Sequence, residues 1–139
     1  MCIDTLGYYG PHILDICSII FLYIYHIQSV LWYVGGSLCN RIINSILKNC
    51  WRVRRQTQIP FQNKIENSYA MPSGHAQSVF FSTIYIYFFN SHLALIYAFV
   101  SIVTCYQRLK YKNHTVGQLF VGALLGLISA IFVVHHIEW

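Results

Sequence analysis

The sequence predicts an all-α protein, an integral-membrane helical bundle of about five transmembrane helices. Two observations carry this. Hydrophobic residues make up 56% of the 139 residues and charged residues only 9%, against roughly 25% charged in a soluble domain. Leu, Ile, Phe, Tyr and Trp are spread over most of the length, which leaves too little polar surface for a fold surrounded by water. The length fits one domain, residues 1–139.

The elements follow in order. A first span runs from about Pro11 to Tyr33, long enough for the roughly 20 residues a bilayer requires. Its Asp15, His26 and Gln28 must face other helices or lie near an end. Asp4 stands where a signal peptide carries positive charge, and no small-residue cleavage site follows, so this run is expected to stay as an anchor. Gly35-Gly36-Ser37 reads as a tight turn. A shorter, more polar helix follows at about Leu38 to Trp51, with Asn40, Arg41 and Asn44, expected because the topology needs it. Arg52 to Tyr69 is a loop carrying Pro60 and a cluster of charges. Ser73 to Phe89 forms a third helix, and Asn90-Ser91-His92 a short turn. The fourth runs from about Leu93 to Gln107, followed by a basic connection, Arg108 to Asn113. Thr115 to about Ile137 is the last span, in which Gly117, Gly122 and Gly126 let helices approach closely. Crossing the bilayer once per helix brings Lys48, Ser73, Arg108 and His114 to one face.

Several function classes drop out. The net charge of +5 sits in short blocks between apolar runs, with no basic helix face, so nucleic acid is not expected as a partner. The five cysteines lack CxxC spacing and an even count. They read as buried small hydrophobes rather than as a disulfide frame or a zinc site. His135-His136 has no ligand partner at metal-binding spacing and reads as a helix-end pair. Asn113-His114-Thr115 is formally a glycosylation sequon, but it hugs the membrane.

The stretch Ala70–Gln77 organises what remains. Pro72 pre-sets a turn, Ser73 is a favoured N-cap, and the backbone N–H groups after it can point at an anion. His75 stands one turn inside, where it can pass a proton to or from that anion. Lys48 and Arg55 lie upstream, Arg108 and His114 downstream. Each residue alone has an ordinary reading, such as an interfacial histidine or a basic cluster meeting lipid head groups. Together on one face they indicate a phosphate site.

Pro72-Ser73-Gly74-His75 with Arg108-x5-His114 resembles the second and third motifs of the type 2 phosphatidic acid phosphatase superfamily, whose fold is related to the haloperoxidases. Lys48-x6-Arg55 has the spacing of the first motif, with Gln56 where the family usually has proline. Gln118 stands where the third motif usually ends in Asp. The dolichyl-diphosphatase branch is more similar, with its Met-Pro-Ser-x-His-x-Gln and His-Thr-x-x-Gln patterns. The similarity covers about residues 48–126.

The resemblance implies His114 as nucleophile through a phosphohistidine, and His75 as acid and base. Gln118 would hold the ring of His114. Lys48, Arg55, Ser73, Gly74 and Arg108 would bind the phosphoryl oxygens. It implies no cofactor and no metal, since arginines and helix amides supply the positive charge. The implied activity is hydrolysis of a polyprenyl (dolichyl) diphosphate to the monophosphate. The alternatives are a phosphatidic-acid or lipid-monophosphate phosphatase, or a silent lipid-binding relative. The implied partners are a phosphorylated lipid and the bilayer. The implied location is the endoplasmic reticulum membrane, with the site in the lumen, whereas the charge distribution alone puts this face in the cytosol.

Overall fold

A computed structural model describes residues 2–54 and 69–137. They form five helices: α1 (Cys2–Tyr25), α2 (Ile27–Trp51), α3 (Gly74–Tyr87), α4 (Ser91–Lys110) and α5 (Val116–His135). Among the described residues there is no strand, only an isolated antiparallel bridge between Arg54 and Tyr69. Three helices, α1 from Ile3 together with α4 and α5, are long and apolar enough to cross a membrane. The 25 residues of α2 match them in length but are more polar. With 14 residues, α3 is only about 21 Å long, short of the roughly 30 Å of hydrocarbon in a bilayer.

The molecule turns its apolar side chains outward as well as inward. Leu31, Leu95, Val116 and Phe132 are exposed on the flanks, while Ser18, Asn40, Gln77, Ser101 and Arg108 are buried beside Leu14, Leu22, Phe81 and Tyr85. That distribution suits a bundle solvated by lipid tails, where polar groups find partners inside. Across the interior, the Ser18 hydroxyl donates to Tyr97 (3.3 Å) and the Tyr85 hydroxyl donates to the Ser29 carbonyl (2.9 Å).

The first two helices divide differently from the sequence expectation. The break lies at His26, which leaves the helical region (φ −147°, ψ 57°) and sets its ring 4.9 Å from that of Phe89. Gly35-Gly36-Ser37 is not a turn but the interior of α2. The reason is packing: a Cβ on Gly36 would lie 2.8 Å from Val133 Cγ2 and 3.0 Å from Phe81 Cζ. The missing side chain therefore admits α5 and α3, not a reversal of the chain. At the other end, α1 begins well before Pro11 and runs through it. The cysteine expectation also changes. Cys17, Cys39 and Cys50 are exposed, Cys105 is half-buried, and all four are free thiols. A thiol is apolar enough to face lipid.

Asp15 does face other helices. Its carboxylate accepts from the hydroxyls of Tyr33 (2.9 Å) and Ser82 (3.3 Å) and pairs with Arg41 of α2. This polar hub ties α1, α2 and α3 together halfway along their lengths. At the end of the bundle where α4 stops, a second ion pair joins α1 to α4, with Lys110 Nζ 2.8 Å from Asp4 Oδ1. The starts of α1, α3 and α5 and the ends of α2 and α4 therefore share one side, as connectivity alone requires.

Candidate active site

The site is built around the turn that opens α3. Ser73 is extended (φ −73°, ψ 113°) and caps the helix, its side chain accepting from Ala76 N as an N-cap serine should. Its backbone is held from the opposite side by α5, with Ser73 N donating to the Gln118 carbonyl (3.2 Å). Two glycines make that approach possible. A Cβ on Gly122 would sit 2.5 Å from the Ser73 carbonyl, and one on Gly126 2.2 Å from the Gln77 carbonyl. The small-residue pattern of α5 thus does what was expected at Gly122 and Gly126. Among the described residues, a Cβ on Gly117 would meet only Thr115 Oγ1, at 4.0 Å.

His75, half-buried on the first turn of α3, has its ring 5.9 Å from that of Tyr8 on α1. Lys48 is half-buried one turn before the end of α2. Its carbonyl accepts from Arg52 N (3.0 Å), where Arg52 turns the chain out of the helix with φ 49°. Arg55 and the neighbouring Gln56 lie outside the described residues.

Among the described residues Arg108 is the largest fully buried side chain, 0% exposed, which for a guanidinium demands partners or a bound anion. The turn after α4 folds straight back onto it. Lys112 takes a left-handed φ of 52°, and Asn113 N (3.0 Å) and His114 N (3.4 Å) both approach the Arg108 carbonyl. Arg108 and His114 are thereby joined through the backbone, and His114 is itself buried.

Gln118 has a different bond from the expected one. Its amide oxygen accepts from Thr115 N (3.0 Å), and Thr115 Oγ accepts from Gln118 N (3.3 Å). This capping box fixes the start of α5 immediately after His114.

The structure adds residues that the sequence reading did not place in the site. Asn44 Nδ2 donates to Gln77 Oε1 (2.6 Å) and lies 3.4 Å from the Pro72 carbonyl. Gln77 Nε2 in turn donates to Asn40 Oδ1 (2.7 Å) and to the Asn40 carbonyl (2.9 Å). The signal was present in the spacing, because Asn40, Asn44 and Lys48 fall at successive turns of one α2 stripe. Tyr8 carried no such signal, since α1 reads as an anchor. A cradle of backbone N–H groups with a buried guanidinium and two histidines on one side can bind a phosphoryl group and move a proton beside it.

Comparisons with known proteins bear on the family and the fold. The family model of the PAP2 superfamily matches residues 29–139. No curated protein sequence matches the chain. Among solved structures, the fold is similar to the crystal structure of the first transmembrane PAP2-type phosphatidylglycerolphosphate phosphatase from Bacillus subtilis. The TM-score is 0.80 at 18% identity, covering 96% of this chain and 74% of that one.

Proposed function

The chain belongs to the PAP2 superfamily, and we propose that it is a membrane lipid phosphatase that hydrolyses a polyprenyl diphosphate to the monophosphate. The observation that supports the reaction is the juxtaposition of the Ser73 turn, the wholly buried Arg108 and His114, tied by the Ser73–Gln118 and His114–Arg108 backbone contacts. The Met71–Gln77 and His114–Gln118 patterns support the diphosphate substrate, dolichyl diphosphate first.

In this scheme the neutral imidazole of His114 attacks the terminal phosphorus. A P–N bond forms as the P–O bond to the departing lipid monophosphate breaks, and His75 gives that oxygen its proton. His75 then takes a proton from water, the resulting hydroxide attacks phosphorus, and the P–N bond breaks to release inorganic phosphate. Arg108, Lys48 and Arg55, with Ser73 and the Gly74 amide, hold the phosphoryl oxygens and offset the charge that builds on them. Gln118 serves by fixing the start of α5, immediately after His114. No cofactor or metal ion takes part.

The test is phosphate release from dolichyl diphosphate and from phosphatidic acid by detergent-purified protein in EDTA, beside His114→Ala. The expected loss in the variant is at least about 10³-fold, the scale on which removal of a nucleophile is felt. Preference for phosphatidic acid would replace the polyprenyl substrate. A variant as active as wild type would overturn the reaction scheme.

A further inference from the structure

We infer that Asn44 and Gln77 are positioning residues, a directed amide relay that sets the phosphate-binding turn against Lys48. Three of the relay's properties carry this. It is buried throughout, with Gln77 1%, Asn40 2% and Asn44 8% exposed. It is also saturated at Gln77, which spends both N–H groups on Asn40 and its oxygen on Asn44. A buried amide with every group engaged has one rotamer. Finally, it grips the turn from both ends. Asn44 approaches the Pro72 carbonyl in front of Ser73, and Gln77 stands one turn behind it.

Gly74 belongs to the same contact. A Cβ there would lie 3.2 Å from Asn44 Oδ1, so the glycine lets the α2 amide lie against the turn. Its φ is not positive, which removes the usual backbone reason for a glycine at that place. Lys48 follows Asn44 by one helical turn on the same face, so fixing Asn44 against Pro72 fixes the height of Lys48 beside Ser73. On the phosphatase reading, on which this inference rests, the relay aligns two phosphate-binding elements that come from different helices.

The relay has a direction, and that makes it testable. Asn44 must donate, whereas Asn40 only accepts. Asn44→Asp retains a donor while its carboxyl is protonated and loses it on ionisation, whereas Asn40→Asp accepts in either state. Asn44→Leu cannot donate at any pH. The measurement is kcat/KM per folded enzyme from pH 5 to 9, as a ratio to wild type, with the folded fraction taken from thermal unfolding in detergent.

We expect Asn44→Leu to fall about 10- to 100-fold at every pH, on the scale of a displaced supporting contact. Asn44→Asp should approach wild type at the acid end and fall to the leucine level at the alkaline end. The ratio for Asn40→Asp should not change with pH. A flat ratio for Asn44→Asp, or equal profiles for the two aspartates, would overturn the relay, and neither depends on the leucine variant folding. Calorimetric titration with inorganic phosphate separates this inference from the phosphatase reading. If wild type binds phosphate but hydrolyses no lipid, the phosphatase reading fails. The relay then stands or falls on whether Asn44→Leu binds phosphate about tenfold more weakly or equally well. A wild type that neither binds nor hydrolyses overturns both.

Discussion

Gly122→Ala adds one carbon where α5 crosses the start of α3. The new Cβ would stand 2.5 Å from the Ser73 carbonyl oxygen and 3.3 Å from both Ser73 N and Ala76 Cβ. A carbon–oxygen contact relaxes at about 3.3 Å, so the two backbones must separate by about 0.8 Å. The obstructing atoms are backbone rather than the end of a flexible side chain, so the strain has no local outlet. Two effects follow from that one displacement. Overpacking of this kind costs about 1–3 kcal/mol. The shift also stretches the Ser73–Gln118 contact, and misplacement of about 1 Å at a reacting centre costs on the order of 10²-fold in rate. The assay pairs thermal unfolding in detergent with kcat for phosphate release, and Gly35→Ala is the control. A Cβ on Gly35 meets nothing within 4 Å among the described residues, and the helix gains up to about 1 kcal/mol from losing a glycine. Wild-type kcat and midpoint in Gly122→Ala would refute the claim that the α3–α5 contact sets the site.

Other perturbations test other parts of the molecule. Asp15→Leu removes the acceptor shared by Tyr33, Ser82 and Arg41. It should lower stability by about 3 kcal/mol, while the double variant with Arg41→Leu should recover a measurable part, both read from unfolding midpoints. Arg108→Lys keeps the charge but loses the planar fork, and phosphate release should fall by at least about 10² with the helical content by circular dichroism unchanged. Tyr85→Phe deletes one interior hydrogen bond, to the Ser29 carbonyl at 2.9 Å. It should cost about 1 kcal/mol and leave the KM for lipid phosphate where it was.

Much of this architecture was legible because it depends on chain connectivity and on the bilayer. Five helices and a common face for Lys48, Ser73, Arg108 and His114 follow once the apolar runs are counted. The errors came where one residue type serves two purposes. Gly35-Gly36 reads as a turn because glycine often ends helices, but Gly36 is there to let Val133 and Phe81 in, a contact between residues nearly a hundred positions apart. The α1–α2 break fell instead at His26, whose place is set by Phe89, again beyond any local pattern. Asn40 and Asn44 looked like flaws in a weak span. Their partner, Gln77, lies on another helix, and a buried amide is a flaw only until its partner is known. Gln118 showed its helix spacing to His114 but not its competing bond, because a capping box is settled by backbone geometry at Thr115.

The brevity of α3 also bears on which molecules can reach the site. Its 14 residues span about 21 Å, some 9 Å less than the hydrocarbon layer. Ser73 lies against Gly122, well inside α5, and Pro72 against Asn44, seven residues before the end of α2. Among the described residues, the Ser73 turn therefore lies below the ends of α2 and α5. Any phosphate, on a soluble ester or on a lipid, must shed hydration to descend there, and the same donors meet its oxygens. A phosphate carried on a long hydrocarbon tail is already held at the bilayer by that tail, which raises its local concentration near the site. Anchoring thus favours membrane-borne substrates before any side chain has recognised them.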